Sequence, residues 1–263
     1  MPIDEDDPDF VSSLARGLAV IRAFGGDAVS MTLAEVAART DLTRPTARRF
    51  LLTLEALGYI HSDDKRFWLA PRTLDLGYAY LSSLRIGDIA QSSMRKVVDE
   101  LNESCSLSVL DGIETIYLAR VPPRHLMGLQ VNPGTRLPAY CSSSGRILLA
   151  DMDAADLTAF LRGSERPART AHTITTERAL RRELDKVRAA GYAQIEQEME
   201  LGLRAIAVPV RSRRKRVVAS LSVGAHSGRV SEADMITRVL PVLRIAADEI
   251  EAILLHSDHP QFH

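Results

Sequence analysis

The stretch from 32 to 60 constrains the fold most, because it predicts two short amphipathic helices joined by a turn. Thr32 with Glu35 three residues later forms a capping box, in which each side chain binds the backbone amide of the other residue. Thr43 is placed to cap the second helix, and Pro45 falls in its first turn, where a missing amide proton costs little. Gly58 ends that helix. The pattern therefore predicts helix, turn and helix.

One stripe of the second helix is predicted to be buried, since its apolar residues recur every three or four positions. The stripe consists of Ala47, Phe50, Leu51, Leu54 and Leu57. Off that stripe, the helix presents hydroxyl and arginine side chains to solvent near its start. A charged turn at 63–66 then separates two short extended segments. Helix, turn, helix and hairpin in this order make a winged helix-turn-helix.

This arrangement favours DNA binding, because a helix fits the major groove and arginines near its start reach guanine edges or phosphates. The amides at the helix start also favour a nearby phosphate. The alternative is that the arginines only form a solvated face. The predicted contacts with a double-stranded DNA operator are Thr43, Arg44, Thr46, Arg48, Arg49, Lys65 and Arg66.

The charge distribution agrees with a local DNA-binding surface. The chain of 263 residues has a net charge of −1, so the whole protein is not a polycation. Residues 10–85, however, hold ten basic and seven acidic side chains, and residues 4–9 form an acidic tail that we expect to be disordered. The two cysteines make no disulfide framework and no zinc motif, so we expect no metal and no cofactor.

The sequence predicts a cytoplasmic protein with no membrane partner. It contains no run of 18 apolar residues, and its acidic N-terminus is wrong for a secretory signal. We expect five segments along the chain. They are a disordered acidic tail (1–9), a winged helix-turn-helix DNA-binding domain (10–72), a linker helix (73–87), an effector-binding domain (88–256) and a C-terminal tail (257–263).

Two helices outside the helix-turn-helix carry apolar residues that need a partner. We expect the helix at 11–24 to start at a cap formed by Ser12 or Ser13 and to cover the core of the first domain. The segment 73–84 has two apolar rows, which indicates a contact between subunits. A dimer also fits DNA binding, because paired half-sites need paired recognition helices.

The second domain alternates helices with antiparallel hairpins, which is typical of an α+β fold. We expect a helix capped by Asp88, a hairpin turning at Asp111 and Gly112, a strand at 126–131, and a long helix that starts at Thr175. A last hairpin spans 205–223, and a last helix starts at Ser231.

Two features of this domain indicate a small-molecule pocket. Along the strand from 217, one face is apolar and the other carries Ser220, Ser222 and Gly224, while Ala205 lies on the partner strand. A sheet face of small residues leaves a hollow. The second feature is the helix start at Ser142 to Gly145, whose amides and positive dipole end favour a carboxylate. The alternative is an ordinary cap on a closely packed helix.

Several other residues leave alternatives open. Cys141 just before a helix start would have a lowered thiol pKa, so an enzyme using Cys141 with His125 or His226 is the competing hypothesis. The basic turn at 211–216 could contact nucleic acid, although a solvated hairpin tip is the simpler explanation. The glutamates at 196, 198 and 200 could share one face of an extended segment, but a loop edge is simpler.

The chain resembles an IclR-type bacterial transcriptional regulator over nearly its whole length. The resemblance is carried by the segments 13–24, 32–60, 67–81, 137–150, 183–210 and 217–231. The segment 118–146 is similar to the subgroup that controls protocatechuate, 4-hydroxybenzoate and β-ketoadipate catabolism. The resemblance implies a winged helix-turn-helix, a linker helix and a GAF/PAS-like effector-binding domain, in a homodimer or a dimer of dimers.

The resemblance also implies which residues bind the effector. They are Ser143, Ser144, Gly145, Glu196, Ala205, Ser222 and Gly224. Several family members have polar side chains where this chain has Ala205 and Gly224, and an acid where it has Ile195 beside Glu196. The less polar floor suits an aromatic acid or a keto-diacid. We therefore expect a ligand-responsive regulator of a catabolic operon, with no catalytic residues.

Overall fold

A computed structural model describes residues 6–25, 28–77, 86–123 and 131–254 of the chain. The chain divides into two compact units, Met1–Ser82 and Ser83–His263. Residues 1–5 of the expected acidic tail and the whole tail 257–263 lie outside the described residues. No helix of the described part is both long enough and apolar enough to cross a lipid bilayer.

The first unit is a winged helix-turn-helix, as the sequence predicts. Its three strands form an antiparallel sheet in the order β1-β3-β2. The elements are α1 (Ser12–Ala23), β1 (Met31–Thr32), α2 (Leu33–Arg39), α3 (Arg44–Ala56), β2 (Ile60–Ser62) and β3 (Arg66–Leu69). One hydrophobic core joins all three helices to the sheet, and its fully buried residues include Val20, Val36 and Leu51.

The caps of this unit follow the sequence with one exception. Thr32 and Glu35 form the predicted capping box, and the hydrogen bonds from Thr32 lower the pKa of Glu35. Thr43 accepts a hydrogen bond from the amide of Thr46 at the start of α3. The predicted serine cap of α1 is wrong, because Val11 occupies the cap position without a side-chain hydrogen bond.

The second unit is built on one antiparallel sheet of six strands in the order β6-β5-β4-β9-β8-β7. The strands are β4 (Ser104–Asp111), β5 (Glu114–Val121), β6 (Arg136–Pro138), β7 (Ala193–Glu196), β8 (Leu203–Arg211) and β9 (Val217–His226). The helices are α4 (Ile86–Leu101), α5 (Ser143–Ala150), α6 (Ala154–Gly163), α7 (Glu177–Ala190) and α8 (Leu240–Leu254).

Both faces of this sheet are covered, which gives the domain two cores. Helices α4 and α8 pack on one face, around residues such as Met94, Leu221 and Leu243. Helices α5, α6 and α7 contribute to the core on the other face, which includes Leu149 and Leu184. The last helix starts at a capping box of Ser231 and Asp234, and a π-helical segment, Met235–Val239, leads into α8.

Several predicted boundaries differ from the structure. Helix α4 starts at Ile86, before Asp88, and Thr176 rather than Thr175 caps α7. Residues 74–77 of the expected linker helix are helical, and 78–85 lie outside the described residues. The strand expected at 126–131 also lies outside them, except Val131, which is not in a strand. Leu57, expected in the buried stripe, is 52% exposed at the end of α3.

The last hairpin contains an irregularity that the alternating sequence did not indicate. Val210 pairs with Ala219, but Arg211 pairs with Val217, so Val218 is an extra residue in β9. Val218 packs on the α4–α8 core, whereas Val217 packs on the other core. The predicted alternation therefore holds from Ala219 onward and is wrong at Val217 and Val218, because a bulge shifts the facing by one residue.

Candidate functional site

The outer face of α3 is the candidate DNA-binding surface of the first unit. Arg49 lies two residues from both Ala47 and Leu51, which are fully buried, so it projects from the opposite side of the helix. Arg44 and Arg48 are also exposed. Within the described residues, none of these three arginines has a hydrogen-bond or ion-pair partner. Their charges are therefore available to a phosphate or a base edge.

Two threonines and one lysine flank these arginines. Thr43 and Thr46 are joined by a hydrogen bond of 2.9 Å between their hydroxyl oxygens, in addition to the cap at the start of α3. Lys65 is exposed in the turn between β2 and β3, where its amide donates to Asp63. This turn is the tip of the wing, and a lysine there can reach a phosphate as a point charge.

Arg66 is engaged inside the first unit. Its Nη2 donates to the Ser30 carbonyl at 2.6 Å, and its Nε donates to the Ser30 hydroxyl at 2.9 Å. Glu35 lies 3.8 Å from the same guanidinium. The side chain therefore fixes the wing to the start of α2, and it differs from Arg44, Arg48 and Arg49 in having partners within the protein.

A cavity of about 990 Å³ in the second unit is the candidate effector site. Its wall contains small residues of the sheet, and the register explains why they meet. Ala205 of β8 pairs with Gly224 of β9, which pairs with Ser104 of β4. A Cβ on Gly224 would lie 3.7 Å from the Ser104 hydroxyl, an ordinary contact, so glycine here lowers the floor without relieving a clash.

A second row of paired residues crosses the same face. Ser222 of β9 pairs with Ser106 of β4, which pairs with Arg120 of β5. Directly opposed residues on neighbouring strands share a face and lie close together. All three line the cavity. The floor of the cavity therefore joins hydroxyl groups to one guanidinium.

A bulge in β5 brings a second large side chain to this wall. Leu107 pairs with Ala119 and Ser108 pairs with Tyr117, which leaves Leu118 as an extra residue. In a regular strand Tyr117 and Arg120 would face opposite sides, because they are an odd number of residues apart. The bulge places both in the cavity wall. Burial raises the pKa of Tyr117 and lowers the pKa of Arg120.

A second arginine of the wall is already paired with a carboxylate. Arg229 donates to both carboxylate oxygens of Glu103, at 3.1 and 2.9 Å. Glu103 is only 5% exposed, and both residues line the cavity. This end of the cavity therefore carries an ion pair, and Glu200 adds a further acidic side chain to the lining.

The structure brings four of the seven expected effector residues to the cavity. Ser143, Ala205, Ser222 and Gly224 line it. Ser144, Gly145 and Glu196 do not line it, although the sequence placed them among the effector-binding residues. Glu196 forms an ion pair with Arg204 instead.

Ser144 and Gly145 have structural surroundings of their own. The hydroxyl of Ser144 is buried without a hydrogen-bond partner in the described residues. Gly145 packs against Ala139, where a Cβ would meet the Ala139 carbonyl oxygen at 2.2 Å. The Gly145 amide donates to the Ser142 hydroxyl at 3.2 Å, so the cap occupies one of the amides expected to bind the effector.

Cys141 does not have the surroundings of a nucleophile. It is fully buried, its thiol lies 3.9 Å from the sulfur of Met199, and it does not line the cavity. Burial raises its pKa to about 11, the reverse of the lowered pKa expected at a helix start. His226 lines the cavity and accepts from the Gly228 amide, whereas His125 lies outside the described residues.

Sequence reasoning missed Tyr117, Arg120, Glu103 and Arg229 as wall residues. Ser106, opposite Ser222 in the sheet, offered one signal, because it extends the small polar face to β4. The bulge at Leu118 and the pairing of Glu103 with Arg229 left no signal in the pattern of residues, since both depend on which strands lie side by side.

Comparisons with known proteins agree with this architecture. Residues 13–64 match the family described as the IclR helix-turn-helix domain, and residues 78–252 match the one described as the bacterial transcriptional regulator IclR C-terminal domain. The Pca regulon regulatory protein of Pseudomonas putida is 41% identical over 245 residues, which are 93% of this chain and 84% of that protein.

A second relative and a solved structure point the same way. The p-hydroxybenzoate hydroxylase transcriptional activator of Acinetobacter baylyi is 36% identical over 94% of this chain and 93% of its own length. An IclR homologue from Microbacterium hydrocarbonoxydans, solved with 4-hydroxybenzoate, is 28% identical with a TM-score of 0.82, and the match covers 93% of this chain and 100% of that one. Both matched families are transcriptional regulators, so the alternative of an enzyme using Cys141 is wrong. The chain belongs to the IclR family of bacterial transcriptional regulators.

Proposed function

We propose that this protein regulates a catabolic operon by binding a small aromatic acid in the cavity of its second unit and operator DNA through α3. The observation that carries this proposal is the cavity of about 990 Å³, whose wall combines small residues, hydroxyl groups and Arg120. Apolar surface with a few polar groups that fix orientation is typical of a small-molecule site.

The relatives and the charges of the wall favour an aromatic acid over a keto-diacid. One relative is named for p-hydroxybenzoate hydroxylase, and the homologue from Microbacterium was solved with 4-hydroxybenzoate. In this chain, Glu200 lines the cavity and would repel a second carboxylate on the ligand, and Glu103 already engages the guanidinium of Arg229. An aromatic monoacid needs only one cationic partner.

The DNA-binding residues of this proposal are Thr43, Arg44, Thr46, Arg48, Arg49 and Lys65. Arg66 contributes indirectly, because its bonds to Ser30 hold the wing. A homodimer, which can pair further into a dimer of dimers, presents two recognition helices to paired half-sites. The exposed side chains of Leu14 and Leu18, one turn apart on α1, support this because they offer an apolar surface to a partner subunit. The cytoplasm is the expected location.

Effector control requires different affinities for two states. The acid must bind the DNA-competent arrangement and the other arrangement with different free energies, because equal binding shifts no population. The change in operator affinity caused by the acid then equals the change in acid affinity caused by the operator. Titrations in both directions measure the same coupling.

The DNA-binding half of the proposal is tested with Arg49→Ala. We expect roughly a 5- to 150-fold weaker affinity for a duplex selected from a random pool, because one base or phosphate contact is lost. Calorimetry should show unchanged affinity for 4-hydroxybenzoate. Arg22→Ala, an exposed arginine at the end of α1, is the matched control. Equal DNA affinity of wild type and Arg49→Ala would reject α3 as the recognition helix.

The effector half is tested with Ser222→Leu, which places a large side chain in the cavity floor. We expect the response to 4-hydroxybenzoate to be lost while DNA binding remains. Ser92→Leu on the exposed side of α4 is the matched control. Normal 4-hydroxybenzoate affinity of Ser222→Leu would move the effector site away from this cavity.

A further inference from the structure

We infer that the phenol hydroxyl of Tyr117, in β5, donates a hydrogen bond to the carboxylate of the effector. This inference rests on the proposed function, and it names a wall residue that makes an acid bind more tightly than its neutral analogue. The sequence placed the carboxylate contact at the start of α5 instead, and Tyr117 was not among the residues predicted to bind the effector.

Two tyrosines of the second unit are deeply buried, and their hydroxyl groups have different surroundings. Tyr140 is 3% exposed, and its hydroxyl donates to the Pro167 carbonyl at 2.6 Å. Tyr117 is 9% exposed and lines the cavity, but its hydroxyl makes no hydrogen bond within the described part of the chain. A buried tyrosine hydroxyl usually has a hydrogen-bond partner. For Tyr117, the cavity is the place where such a partner can lie.

The backbone of Tyr117 is held on both sides of β5. Its amide donates to the Thr135 carbonyl at 3.0 Å, and its carbonyl accepts from the Gly134 amide at 2.8 Å. On the other side, Tyr117 pairs with Ser108 of β4. The bulge at Leu118 follows directly, and bulges re-aim side chains beside binding sites. The ring is therefore preorganised in the wall, which lowers the free energy lost when a ligand binds.

The hydroxyl groups of the cavity floor already donate to the main chain. The Ser222 hydroxyl donates to the Ser106 carbonyl at 3.4 Å, and the Ser104 hydroxyl donates to the Gly224 carbonyl at 3.2 Å. Those two hydroxyls offer their lone pairs, so they suit a hydroxyl group of the ligand. A carboxylate only accepts hydrogen bonds and needs a donor. Burial raises the pKa of Tyr117, so its phenol keeps the proton at neutral pH and can donate it.

The start of α5 offers the cavity fewer donors than the sequence predicts. The Gly145 amide donates to the Ser142 hydroxyl at 3.2 Å, and the Arg146 amide donates to the Ser142 carbonyl at 3.0 Å. Ser143 lines the cavity, but Ser144 and Gly145 do not. The carboxylate therefore needs a donor from the sheet side of the wall, where Tyr117 lies.

The donor and the acceptors lie at different positions along the sheet. Ser106 pairs with Ser222, and Ser108 pairs with Tyr117, and these two serines are two residues apart on β4. Two residues of a strand span roughly 7 Å. A benzoic acid with a ring hydroxyl opposite its carboxylate also has its acceptor and its donor at opposite ends. Its ring can pack against the Tyr117 ring, because aromatic pairs attract each other when they are offset or edge to face.

The test removes only the hydroxyl group of Tyr117. Isothermal titration of the full-length protein measures binding of 4-hydroxybenzoate, benzoate and 4-hydroxybenzamide to wild type and to Tyr117→Phe. We expect the affinity for both acids to fall roughly 10- to 150-fold, the value of a charge-assisted hydrogen bond, and that for the amide to fall less than about 10-fold. Tyr140→Phe, outside the cavity wall, is the matched control and should leave all three affinities unchanged.

Melting temperatures without ligand give a second readout. Tyr140→Phe should melt at a lower temperature than wild type, because it loses the bond to the Pro167 carbonyl. Tyr117→Phe should melt at the wild-type temperature, because its hydroxyl makes no bond within the described part of the chain. An equal fall for the two variants would show that the Tyr117 hydroxyl is bonded inside the protein, and it would overturn the inference.

The possible binding results separate this inference from the proposed function. If wild type binds neither acid nor any other aromatic acid, the proposed function fails. If wild type binds 4-hydroxybenzoate and Tyr117→Phe binds it equally well, the assignment of Tyr117 fails alone. If Tyr117→Phe loses as much affinity for the amide as for the acids, or keeps full affinity for benzoate, the hydroxyl does not contact the carboxylate, and the inference is overturned.

Discussion

Arg146 of α5 holds the segment that forms one wall of the cavity. It is 1% exposed, and its Nη2 donates to Glu198 at 2.5 Å while its Nε donates to the Tyr140 carbonyl at 3.3 Å. Glu198 also accepts from the Ile174 amide at 3.1 Å. Glu198 directly precedes Met199, which lines the cavity. The ion pair therefore joins α5 to the cavity wall.

Replacing Arg146 with methionine should destabilise the second unit strongly. The change leaves the carboxylate of Glu198 buried with only the Ile174 amide, and an uncompensated buried charge costs about 3–5 kcal/mol. For a domain of this size, that loss lowers the melting temperature by roughly 6–20 °C. The double variant Arg146→Met with Glu198→Leu should recover most of the loss, because it removes both charges.

Calorimetry of the full-length protein measures this effect. Trp68, the single tryptophan of the chain, lies in β3 of the first unit. Its fluorescence therefore reports unfolding of the first unit and serves as an internal control for a change made in the second unit. We expect the calorimetric melting temperature of the second unit to fall, while the melting temperature reported by Trp68 fluorescence stays unchanged. A loss below about 1 kcal/mol, the value of an exposed ion pair, would refute the reasoning.

Three further predictions concern the cap, the close packing and the buried thiol. Thr43→Ala should cost about 1 kcal/mol in Trp68-monitored unfolding, because α3 loses its N-cap; no change would show that the cap is dispensable. Gly145→Ala should lower the calorimetric melting temperature, since its Cβ meets the Ala139 carbonyl oxygen at 2.2 Å, and an unchanged value would contradict this packing. Burial raises the pKa of Cys141 from 9.0 to about 11, so folding favours the neutral thiol. The stability that this group contributes is complete below pH 9 and is lost as the pH rises to about 11. Cys141→Ala should remove that part of the pH dependence of the unfolding free energy, measured by denaturant titration. Wild type and Cys141→Ala showing the same slope of unfolding free energy against pH in this range would argue against it.

Local signals predicted the first unit well. The capping box at Thr32 and the cap at Thr43 act within a few residues, and the structure confirms both. The apolar stripe of α3 is buried at Ala47, Leu51 and Leu54 but not at Leu57. The serine cap of α1 failed because a serine near a helix start caps only when its backbone lies outside the helix. Here Val11 takes that position.

The cavity was only partly predictable, because pairing between distant strands forms it. The small residues Ala205, Ser222 and Gly224 stood out in the sequence, and they do line the cavity. Arg120 did not stand out in the sequence as a cavity residue beside Tyr117. The two are three residues apart, and an odd separation places residues on opposite faces of a regular strand. Only the bulge opposite Leu107 and Ser108 brings them together, and a bulge depends on the partner strand.

Fluorescence anisotropy of a selected operator duplex, titrated with the full-length protein with and without 4-hydroxybenzoate, tests the central claim most directly. We predict that the acid changes the dissociation constant of wild type and leaves that of Ser222→Leu unchanged. We also predict that Arg49→Ala binds the duplex more weakly under both conditions. A dissociation constant that no aromatic acid alters, or DNA binding at low salt that Arg49→Ala leaves intact, would contradict the account.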